Sequence, residues 1–287
     1  MAVIKLNDVN YTYMSGGPFE KAAVKNINLE LKTGEFIGLI GHTGSGKSTL
    51  IQLMAGLLKP DSGSIAIDGQ TLYEKTTNMR KLRFQIGYVM QYPEYQLFEE
   101  TVFQDIAFGP KNMGLSEDEI KRRVHFAAKL VGLDDAVLEK SPFDLSGGQK
   151  RRAAIAGVVA MGPKLLILDE PTAGLDPGGR DEILCKIRDM HRRLGITVIL
   201  VSHSMEDIAS LADRIVVMNQ GEVAMQGTPH EIFQNARELK IMGLAVPQIT
   251  EVCDRLRDAG MPLPEGIYTV SAAKAELEKI LNAKEKR

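Results

Sequence analysis

Residues 41–49, Gly41-His42-Thr43-Gly44-Ser45-Gly46-Lys47-Ser48-Thr49, decide the fold of this chain because they match the pattern G-x-x-x-x-G-K-[ST]. An apolar stretch at 36–40 precedes them and predicts a buried strand, and residues 50–58 continue as a predicted helix. The glycines let backbone N–H groups surround phosphate oxygens, and the helix directs its positive end at them. The sequence therefore predicts a nucleoside triphosphate site in which Lys47 contacts the β- and γ-phosphates and Ser48 binds magnesium.

The composition of the 287-residue chain is that of a globular protein, with 44% hydrophobic and 25% charged residues. A formal net charge of −2 argues against a basic surface, so no nucleic-acid partner is expected. Cys185 and Cys253 lie in predicted helices without metal-site spacing, which favours a reduced intracellular protein with two buried thiols. The longest apolar stretch, 153–168, is interrupted by Gly162-Pro163-Lys164, so we expect no membrane span.

The order of the predicted elements indicates an α/β fold. Short strands fill residues 1–40, and buried strands alternate with helices from 165 to 225, which is typical of a mostly parallel sheet covered by helices. Residues 101–160 are mostly helical, and Ser116 followed by Glu119 predicts a capping box. Beyond residue 228 the pattern predicts three helices, at 232–242, 248–259 and 272–281.

Two acidic residues end the predicted buried strand at 165–168. Because the carboxyl ends of parallel strands meet at one edge of a sheet, Asp169 is expected to bind the magnesium ion that Ser48 also binds. Glu170, one residue further, is expected to accept the proton of the water that attacks the γ-phosphate.

A second glycine-rich stretch, Leu145-Ser146-Gly147-Gly148-Gln149, precedes a predicted helix. The N–H groups at such a helix start form an anion site. The stretch alone is better explained by an ordinary helix cap, and only its presence in one chain with residues 41–49 favours a second phosphate site.

Together these stretches resemble the nucleotide-binding subunits of ATP-binding cassette (ABC) transporters. Residues 41–49 resemble Walker A, 165–170 Walker B and 145–149 the signature sequence. Gln91 matches the Q-loop, Asp176 ends a D-loop at 173–176, and His203 matches the switch histidine. The resemblance implies a P-loop ABC ATPase with a mostly parallel core sheet and an antiparallel β subdomain in residues 1–230, a helical subdomain at about 92–160, and a C-terminal helical extension at 231–287.

The resemblance also implies how the site works. ATP and Mg²⁺ are the expected ligands, and two ATPase subunits arranged head to tail each hold ATP between the P-loop of one and the signature of the other. Glu170, His203 and Gln91 are the expected catalytic residues, and Ser48, Gln91 and Asp169 the expected metal ligands. Tyr13 is expected to stack on adenine, with Tyr11 as the alternative. The expected nucleotide-binding residues are Tyr13, Gly41, His42, Thr43, Gly44, Ser45, Gly46, Lys47, Ser48, Thr49, Leu145, Ser146, Gly147, Gly148, Gln149 and Asp176.

Within the ABC family, the chain is most similar to the ATPases of energy-coupling factor (ECF) transporters, which import vitamins or metal micronutrients. The similarity lies in residues 91–112, in the tail from about 245, and in Gly16-Gly17-Pro18-Phe19-Glu20, which resembles an insertion of the second of two paralogous ATPases. It implies a paralogous ATPase partner and a substrate-binding S component. It also implies a transmembrane T component docked near 91–108 and a position on the cytoplasmic side of the cell membrane. Carboxylates expected to line the docking groove are Glu94, Glu99, Glu100 and Asp105.

Three other functions are alternatives for a chain with a phosphate-binding loop. A soluble ABC ATPase acting on ribosomes or DNA usually has two cassettes or long coiled coils, and neither is present. An ATPase of another ABC importer class is the nearer alternative. A P-loop GTPase would need an N-K-x-D motif, which the sequence lacks, and would leave residues 145–149 unexplained.

Overall fold

The computed structural model describes residues 2–285, which form two β-sheets and a helical layer. The strands are β1 (Ala2–Tyr13), β2 (Lys21–Lys32), β3 (Phe36–Gly41), β4 (Ser62–Ile67), β5 (Gln70–Thr71), β6 (Ile86–Val89), β7 (Leu165–Asp169), β8 (Thr197–Val201), β9 (Arg214–Asn219) and β10 (Glu222–Gly227). The helices are α1 (Lys47–Met54), α2 (Met79–Arg83), α3 (Val102–Asn112), α4 (Glu117–Val131), α5 (Asp135–Leu138), α6 (Gly147–Val159), α7 (Pro177–Leu194), α8 (Met205–Leu211), α9 (Pro229–Phe233), α10 (Ala236–Ile241), α11 (Gln248–Asp258) and α12 (Val270–Glu285), with 3-10 turns at Pro93–Gln96 and Pro142–Asp144.

The larger sheet has the strand order β10-β9-β3-β8-β7-β6. Every neighbouring pair in it is parallel except β9 and β10, which form an antiparallel hairpin. The prediction of a mostly parallel core sheet is therefore confirmed. The carboxyl ends of β3, β7 and β8 lie side by side, so the P-loop, the Walker B acids and the segment with His203 leave the sheet at the same edge.

The smaller sheet, in the order β2-β1-β4-β5, is antiparallel and packs over α1. Apolar residues of β1 and β2, such as Ile4 and Ile27, share a buried cluster with Leu50 and Ile51 of α1. The pairing of β1 with β2 shifts register at several points, with Asp8 at φ 47°, as β-bulges do. These bulges set which tyrosine of β1 lies next to the P-loop.

The opposite face of the core sheet carries the helices. Ala153 and Ala156 on α6 and Ala127 and Ala128 on α4 belong to the same buried cluster, and small side chains let such helices pack closely. Ser116 caps α4 by accepting a hydrogen bond from the Glu119 N–H, but the Glu119 carboxylate instead binds Arg122 and Arg123. The predicted capping box is therefore only half formed, because two arginines attract that carboxylate.

The C-terminal region differs from its prediction in one respect. The single helix predicted at 232–242 is two helices, because α9 ends at Phe233 and α10 begins at Ala236 after Asn235 leaves helical geometry. Helices α11 and α12 share a small cluster of their own around Cys253. Cys253 is buried as predicted, whereas Cys185 on α7 is exposed, so that half of the cysteine prediction is wrong. None of the helices within residues 2–285 is long and apolar enough to cross a membrane.

Candidate functional site

The P-loop follows a strand whose six residues are all buried, and its geometry depends on glycine. Gly46 has φ 103°, and a Cβ placed there would lie 2.5 Å from the carbonyl oxygen of Ala23 on β2. A residue with a side chain would therefore be both strained and in collision. The loop is held in one shape before α1 begins at Lys47.

Lys47 is folded back onto its own loop. Its Nζ donates hydrogen bonds to the carbonyl oxygens of Gly41, at 2.6 Å, and His42, at 3.1 Å. Burial lowers the pKa of the Lys47 ammonium, although the negative charges of Glu170 and Asp169 oppose that effect. The ammonium group is thus close to both acids at the edge where a γ-phosphate would bind.

Asp169 ends β7 beside the P-loop. The Tyr88 hydroxyl on β6 donates a hydrogen bond of 3.4 Å to Asp169 Oδ2. Burial raises the pKa of the Asp169 carboxyl, opposed by this hydrogen bond and by the charges of Lys47 and His203. A buried carboxylate of this kind is stabilised by a cation. Sequence reasoning did not identify Tyr88, since an aromatic residue in a buried strand has no signal beyond packing.

Glu170 lies one residue past the strand in left-handed backbone geometry, with φ 49°. Its N–H donates to the Val201 carbonyl at the end of β8, which fixes the turn. Glu170 Oε1 is 3.4 Å from His203 Nε2, with the glutamate nearly buried and the histidine exposed. Burial raises the pKa of the Glu170 carboxyl, and the positive charges of His203 and Lys47 oppose it. A partly desolvated carboxylate next to an imidazole suits proton transfer from water.

A cavity of about 410 Å³ joins these groups. The exposed Gln91, two residues beyond β6, reaches it from a fourth strand end. Lys21 and Ala23 on β2 also line it, and sequence reasoning missed both because the bulged pairing of β1 with β2 cannot be read from the pattern. The predicted site residues that line the cavity are Tyr13, Thr43, Gly44, Gly46, Lys47, Ser48, Thr49, Gln91, Asp169, Glu170 and His203.

Three residues of the predicted binding loop form its support. Gly41 is the buried last residue of β3, and Ser45 is buried behind the loop. Ser45 Oγ has no hydrogen-bond partner within the described residues. The ring of His42 lies between Thr43 O, at 2.8 Å, and Asn219 Oδ1, at 3.2 Å, which ties the loop to β9.

Tyr13 and Tyr11 occupy different environments. The Tyr13 hydroxyl lies 3.2 Å from Thr49 Oγ1, and 38% of this residue is exposed on the cavity. Tyr11 packs against the buried cluster of the smaller sheet and meets the Tyr13 ring edge to face, with centroids 4.9 Å apart. This placement favours Tyr13 over Tyr11 as the aromatic residue available to a base.

The three predicted metal ligands reach the same cavity. The Ser48 hydroxyl, the Asp169 carboxylate and the Gln91 amide all offer oxygen donors, which magnesium prefers. No group of three or more His, Cys, Asp or Glu residues arranged for a metal occurs within residues 2–285. A magnesium ion at this edge would thus be held by few protein ligands together with water and phosphate oxygens, as is usual for Mg²⁺.

The signature stretch does not reach this cavity. Ser146 Oγ accepts from the Gln149 N–H, and Gln149 Oε1 accepts from the Ser146 N–H, so the two side chains form a complete capping box at the start of α6. Leu145 is buried beneath it. A Cβ built on Gly147 or Gly148 would meet nothing within 4 Å among the described residues. This helix end is therefore open towards solvent.

Asp176 also lies away from the cavity lining, as an exposed N-cap of α7. Its Oδ1 accepts a 2.7 Å hydrogen bond from the Gly179 N–H. The segment before it, 171–175, turns directly off Glu170, and the Ala173 N–H donates to the Glu170 carbonyl. Asp176 is thus connected to the Walker B end by a short turn.

Comparison with known proteins agrees with this arrangement. A family model described as ABC transporter matches residues 24–173. The ECF transporter ATP-binding protein EcfA2 of Clostridium tetani is 56% identical over 282 residues, which are 98% of each chain. EcfA2 of Clostridium perfringens is 54% identical over 97% of this chain and 98% of its own.

Solved structures give the same result. CbiO1 of Clostridium perfringens, described as part of the ABC transporter complex CbiONQ, has a TM-score of 0.74 and 43% identity, covering 84% of this chain and 95% of its own. The ATP-binding cassette MJ0796, solved as a dimer bound to ADP and Pi, has a TM-score of 0.70 and 30% identity, covering 78% and 98%. The predicted family and ABC ATPase fold are confirmed, and relatives named EcfA2 agree with the expected second paralogue. The chain belongs to the ABC transporter family and is the ATP-hydrolysing subunit of an importer of the energy-coupling factor type.

Proposed function

We propose that the 410 Å³ cavity is the hydrolytic site and that Glu170 is its general base. The observation that carries the proposal is the convergence of Glu170, His203 and Lys47 at one strand edge, with Glu170 Oε1 3.4 Å from His203 Nε2. Glu170 takes the proton of the attacking water, while His203 orients that water and contacts the γ-phosphate. Lys47 neutralises the charge of the β- and γ-phosphates.

Ser48, Asp169 and Gln91 are proposed to hold Mg²⁺, because their oxygen donors border the same cavity. The ion, when bound, neutralises charge on the transferred phosphoryl group. Tyr13 is proposed to stack on the adenine, next to Lys21 on the neighbouring strand. The loop residues from Gly41 to Thr49 provide the phosphate cradle.

We infer further that the site is completed by a second ATPase subunit. The start of α6, a helix of 13 residues, is exposed. Its first two residues are glycines, and a Cβ on either one would meet no described atom within 4 Å. Leu145, Ser146, Gly147, Gly148 and Gln149 are proposed to contact the ATP held by the partner, with Asp176 at the same interface. The structure of the similar cassette MJ0796 is a dimer, which supports this arrangement.

The membrane partner is proposed to dock near residues 91–108, where a groove of about 320 Å³ lies between α3 and α6. Phe98 and Phe108 are exposed there, with ring centroids 5.0 Å apart. Asp105 is buried at the groove, and its Oδ2 has no hydrogen-bond partner within residues 2–285. An apolar groove with an unpaired carboxylate suits a helix that presents a basic side chain.

Of the four carboxylates expected in this groove, Asp105 lines it, whereas Glu94, Glu99 and Glu100 are not among its lining residues. Glu94 is engaged by the buried Arg151, so its charge is neutralised inside the chain. This part of the prediction is wrong, because the tertiary fold brings a guanidinium to Glu94 that sequence spacing does not reveal. Asp105, Glu99 and Glu100 remain proposed docking residues.

The assembly is proposed to contain a paralogous ATPase, a transmembrane T component and a substrate-binding S component, with this chain peripheral on the cytoplasmic side of the membrane. The names of the relatives and the CbiONQ complex described for CbiO1 support this proposal. Residues 231–287 are proposed to help this chain pair with the second ATPase subunit. The cargo is a vitamin or a metal micronutrient.

Replacing Glu170 by Gln in the assembled complex tests the hydrolytic site. The amide keeps the shape but cannot accept the proton, so kcat should fall by about 10²–10⁴-fold while the Kd for ATP changes by less than about twofold. Glu222→Gln, an exposed change on β10, is the matched control. Unchanged turnover in Glu170→Gln would remove Glu170 from this role.

Charge reversal tests the docking groove. Glu99→Lys with Glu100→Lys should reduce co-purification with the membrane scaffold at least about tenfold, because like charges repel a basic helix. Glu74→Lys with Glu222→Lys, two exposed sites outside both the groove and residues 91–108, should leave co-purification intact. Equal recovery in both pairs would contradict the proposed position of the partner.

A further inference from the structure

Arg151 on α6 is a buried cation that the proposed hydrolytic site does not use. It is 2% exposed, and each of the three nitrogens of its guanidinium donates to an acceptor. Nε and Nη2 donate to the Glu94 carboxylate at 3.0–3.3 Å, and Nη1 donates to the carbonyls of Pro171, at 3.1 Å, and Ala173, at 2.7 Å. A desolvated guanidinium whose three nitrogens all donate is held in one position.

The three groups that Arg151 joins belong to three functional segments. Glu94 lies in the 3-10 turn three residues after Gln91, within the docking segment. Pro171 and Ala173 lie in the turn that begins at Glu170. Arg151 itself is about one helical turn from Gly147 and Gly148 at the open start of α6. One side chain therefore connects the docking segment, the signature helix and the turn of the general base.

The Glu170 turn is held by hydrogen bonds from two sides. Glu170 adopts φ 49°, a left-handed geometry that costs a non-glycine residue free energy and persists only when neighbours hold it. The Val201 carbonyl holds Glu170 from the sheet side, and Arg151 holds the next turn through two carbonyls. Removing the guanidinium would leave these carbonyls without that donor and release the turn on one side.

We propose that Arg151 is a positioning residue that couples the docking segment and the signature helix to the general base of the same chain. This inference rests on the proposed role of Glu170. A movement of α6 towards a partner's ATP, or of residues 91–108 under the membrane partner, shifts the guanidinium and with it the Glu170 carboxylate. The two ATP sites to which one chain contributes are thereby linked within that chain.

The neighbouring pair Arg152–Glu182 provides a comparison on the same helix. Arg152 Nη1 joins α6 to α7 by a hydrogen bond to Glu182, and this bond reaches neither the 91–108 segment nor the Glu170 turn. Glu182 is 47% exposed, whereas Glu94 is 21% exposed. If α6 only needed ion pairs for its packing, replacing either arginine should change kcat to the same extent, whereas the proposed coupling predicts a loss of kcat for Arg151 alone.

The decisive variant is Arg151→Lys in the assembled complex. Lysine keeps the buried charge and one contact with Glu94 but cannot bind the carboxylate and two carbonyls together. We expect kcat to fall by about 10–100-fold, the cost of a small misplacement of a catalytic group, with KM for ATP within about twofold and Tm within a few degrees. Glu94→Gln should give the same kcat effect, and the double variant should be less than additive.

Controls distinguish this inference from a structural role. Arg152→Lys and Glu182→Gln should leave kcat and KM within about twofold of the unmodified complex. The inference is overturned if Arg151→Lys and Glu94→Gln both retain full kcat, or if kcat falls only in proportion to the loss of folded protein measured by Tm. Because Glu170→Gln tests the general base separately, loss of activity there with full activity in Arg151→Lys would reject only the coupling.

Discussion

The two glycine-rich loops of this chain, residues 41–49 and 145–149, differ in what surrounds them. A Cβ at Gly46 would meet the Ala23 carbonyl at 2.5 Å, so glycine is required there by the chain's own packing. A Cβ at Gly147 or Gly148 would meet nothing within 4 Å among the described residues. The first loop is therefore complete as a structure, and the small residues of the second loop have no explanation within the described chain.

Because of this difference, we expect changes in the first loop to affect folding and changes in the second loop to affect only the reaction of two assembled subunits. The P-loop is bounded by a buried strand, by β2 and by α1, so changing it damages the fold and the ligand site together. The signature loop caps α6 with its own side chains and leaves its N–H groups and glycines open. Changing its glycines should spare the fold and affect only a reaction that needs a second subunit.

Gly46→Ala should have the largest effect. The left-handed φ alone costs about 1–3 kcal/mol, and the collision with Ala23 adds to it, so Tm should fall by about 4–8 °C or more. The opened loop should also lose ATP binding, measured by titration with a fluorescent ATP analogue. Gly16→Ala, at φ 77° with nothing within 4 Å of its Cβ, is the control that keeps the strain without the collision.

Gly148→Ala should show the opposite pattern. Alanine favours a helix over glycine by about 1 kcal/mol, so Tm should stay or rise slightly. ATP binding at the P-loop should be unchanged, while hydrolysis by the assembled pair should fall at least about tenfold because the methyl group keeps N–H donors from the γ-phosphate. A lower Tm with normal hydrolysis would show instead that Gly148 is needed for the fold and not for the reaction of the assembled pair.

Tyr13→Ala tests which tyrosine beside the P-loop stacks on adenine. Loss of stacking on adenine, about 1–3 kcal/mol per base, should weaken ATP binding by about tenfold without lowering Tm. Tyr11→Ala should do the reverse, since that ring packs on the core. Isothermal titration of both variants, with thermal melts, tells the two tyrosines apart; a larger affinity loss in Tyr11→Ala would exchange their roles.

Asp105→Asn should have the smallest effect, which is a change in how Tm depends on pH. Burial raises the pKa of Asp105, opposed by hydrogen bonds from the Phe98 and Glu99 N–H groups. The folded state then binds the proton more tightly than the unfolded state, so the free energy of unfolding falls as pH rises from about 4 through the raised pKa.

The amide variant lacks this ionisation, so the Tm of the unmodified chain should decline relative to Asp105→Asn over that pH range, by about 3 °C for each pKa unit. Glu100→Gln, at an exposed site outside the groove lining, should run parallel to the unmodified chain. If the Tm of Asp105→Asn also changes with pH in parallel with the unmodified chain, burial does not raise the pKa of this carboxyl.

The sequence predicted best where local chemistry decides the structure. A buried apolar run before a glycine loop, and four apolar residues before Asp169 and Glu170, led to β3 and β7 with near-correct ends. Predictions failed where a side chain had several partners to choose from. Glu119 binds two arginines instead of capping α4, and Glu94 binds Arg151 instead of facing a groove, because distant segments bring the opposite charge closer.

Sequence alone determined that this chain folds around a phosphate-binding loop, since left-handed glycines and a buried strand leave that loop few alternatives. The tertiary structure decided how the pieces act together. Parallel pairing of β3, β7 and β8 brings Lys47, Glu170 and His203 to one edge, and the bulges of β1 place Tyr13 beside them. Packing of α6 also gives Arg151 its three contacts. Such pairings join residues far apart in the chain, so only the closed fold selects them.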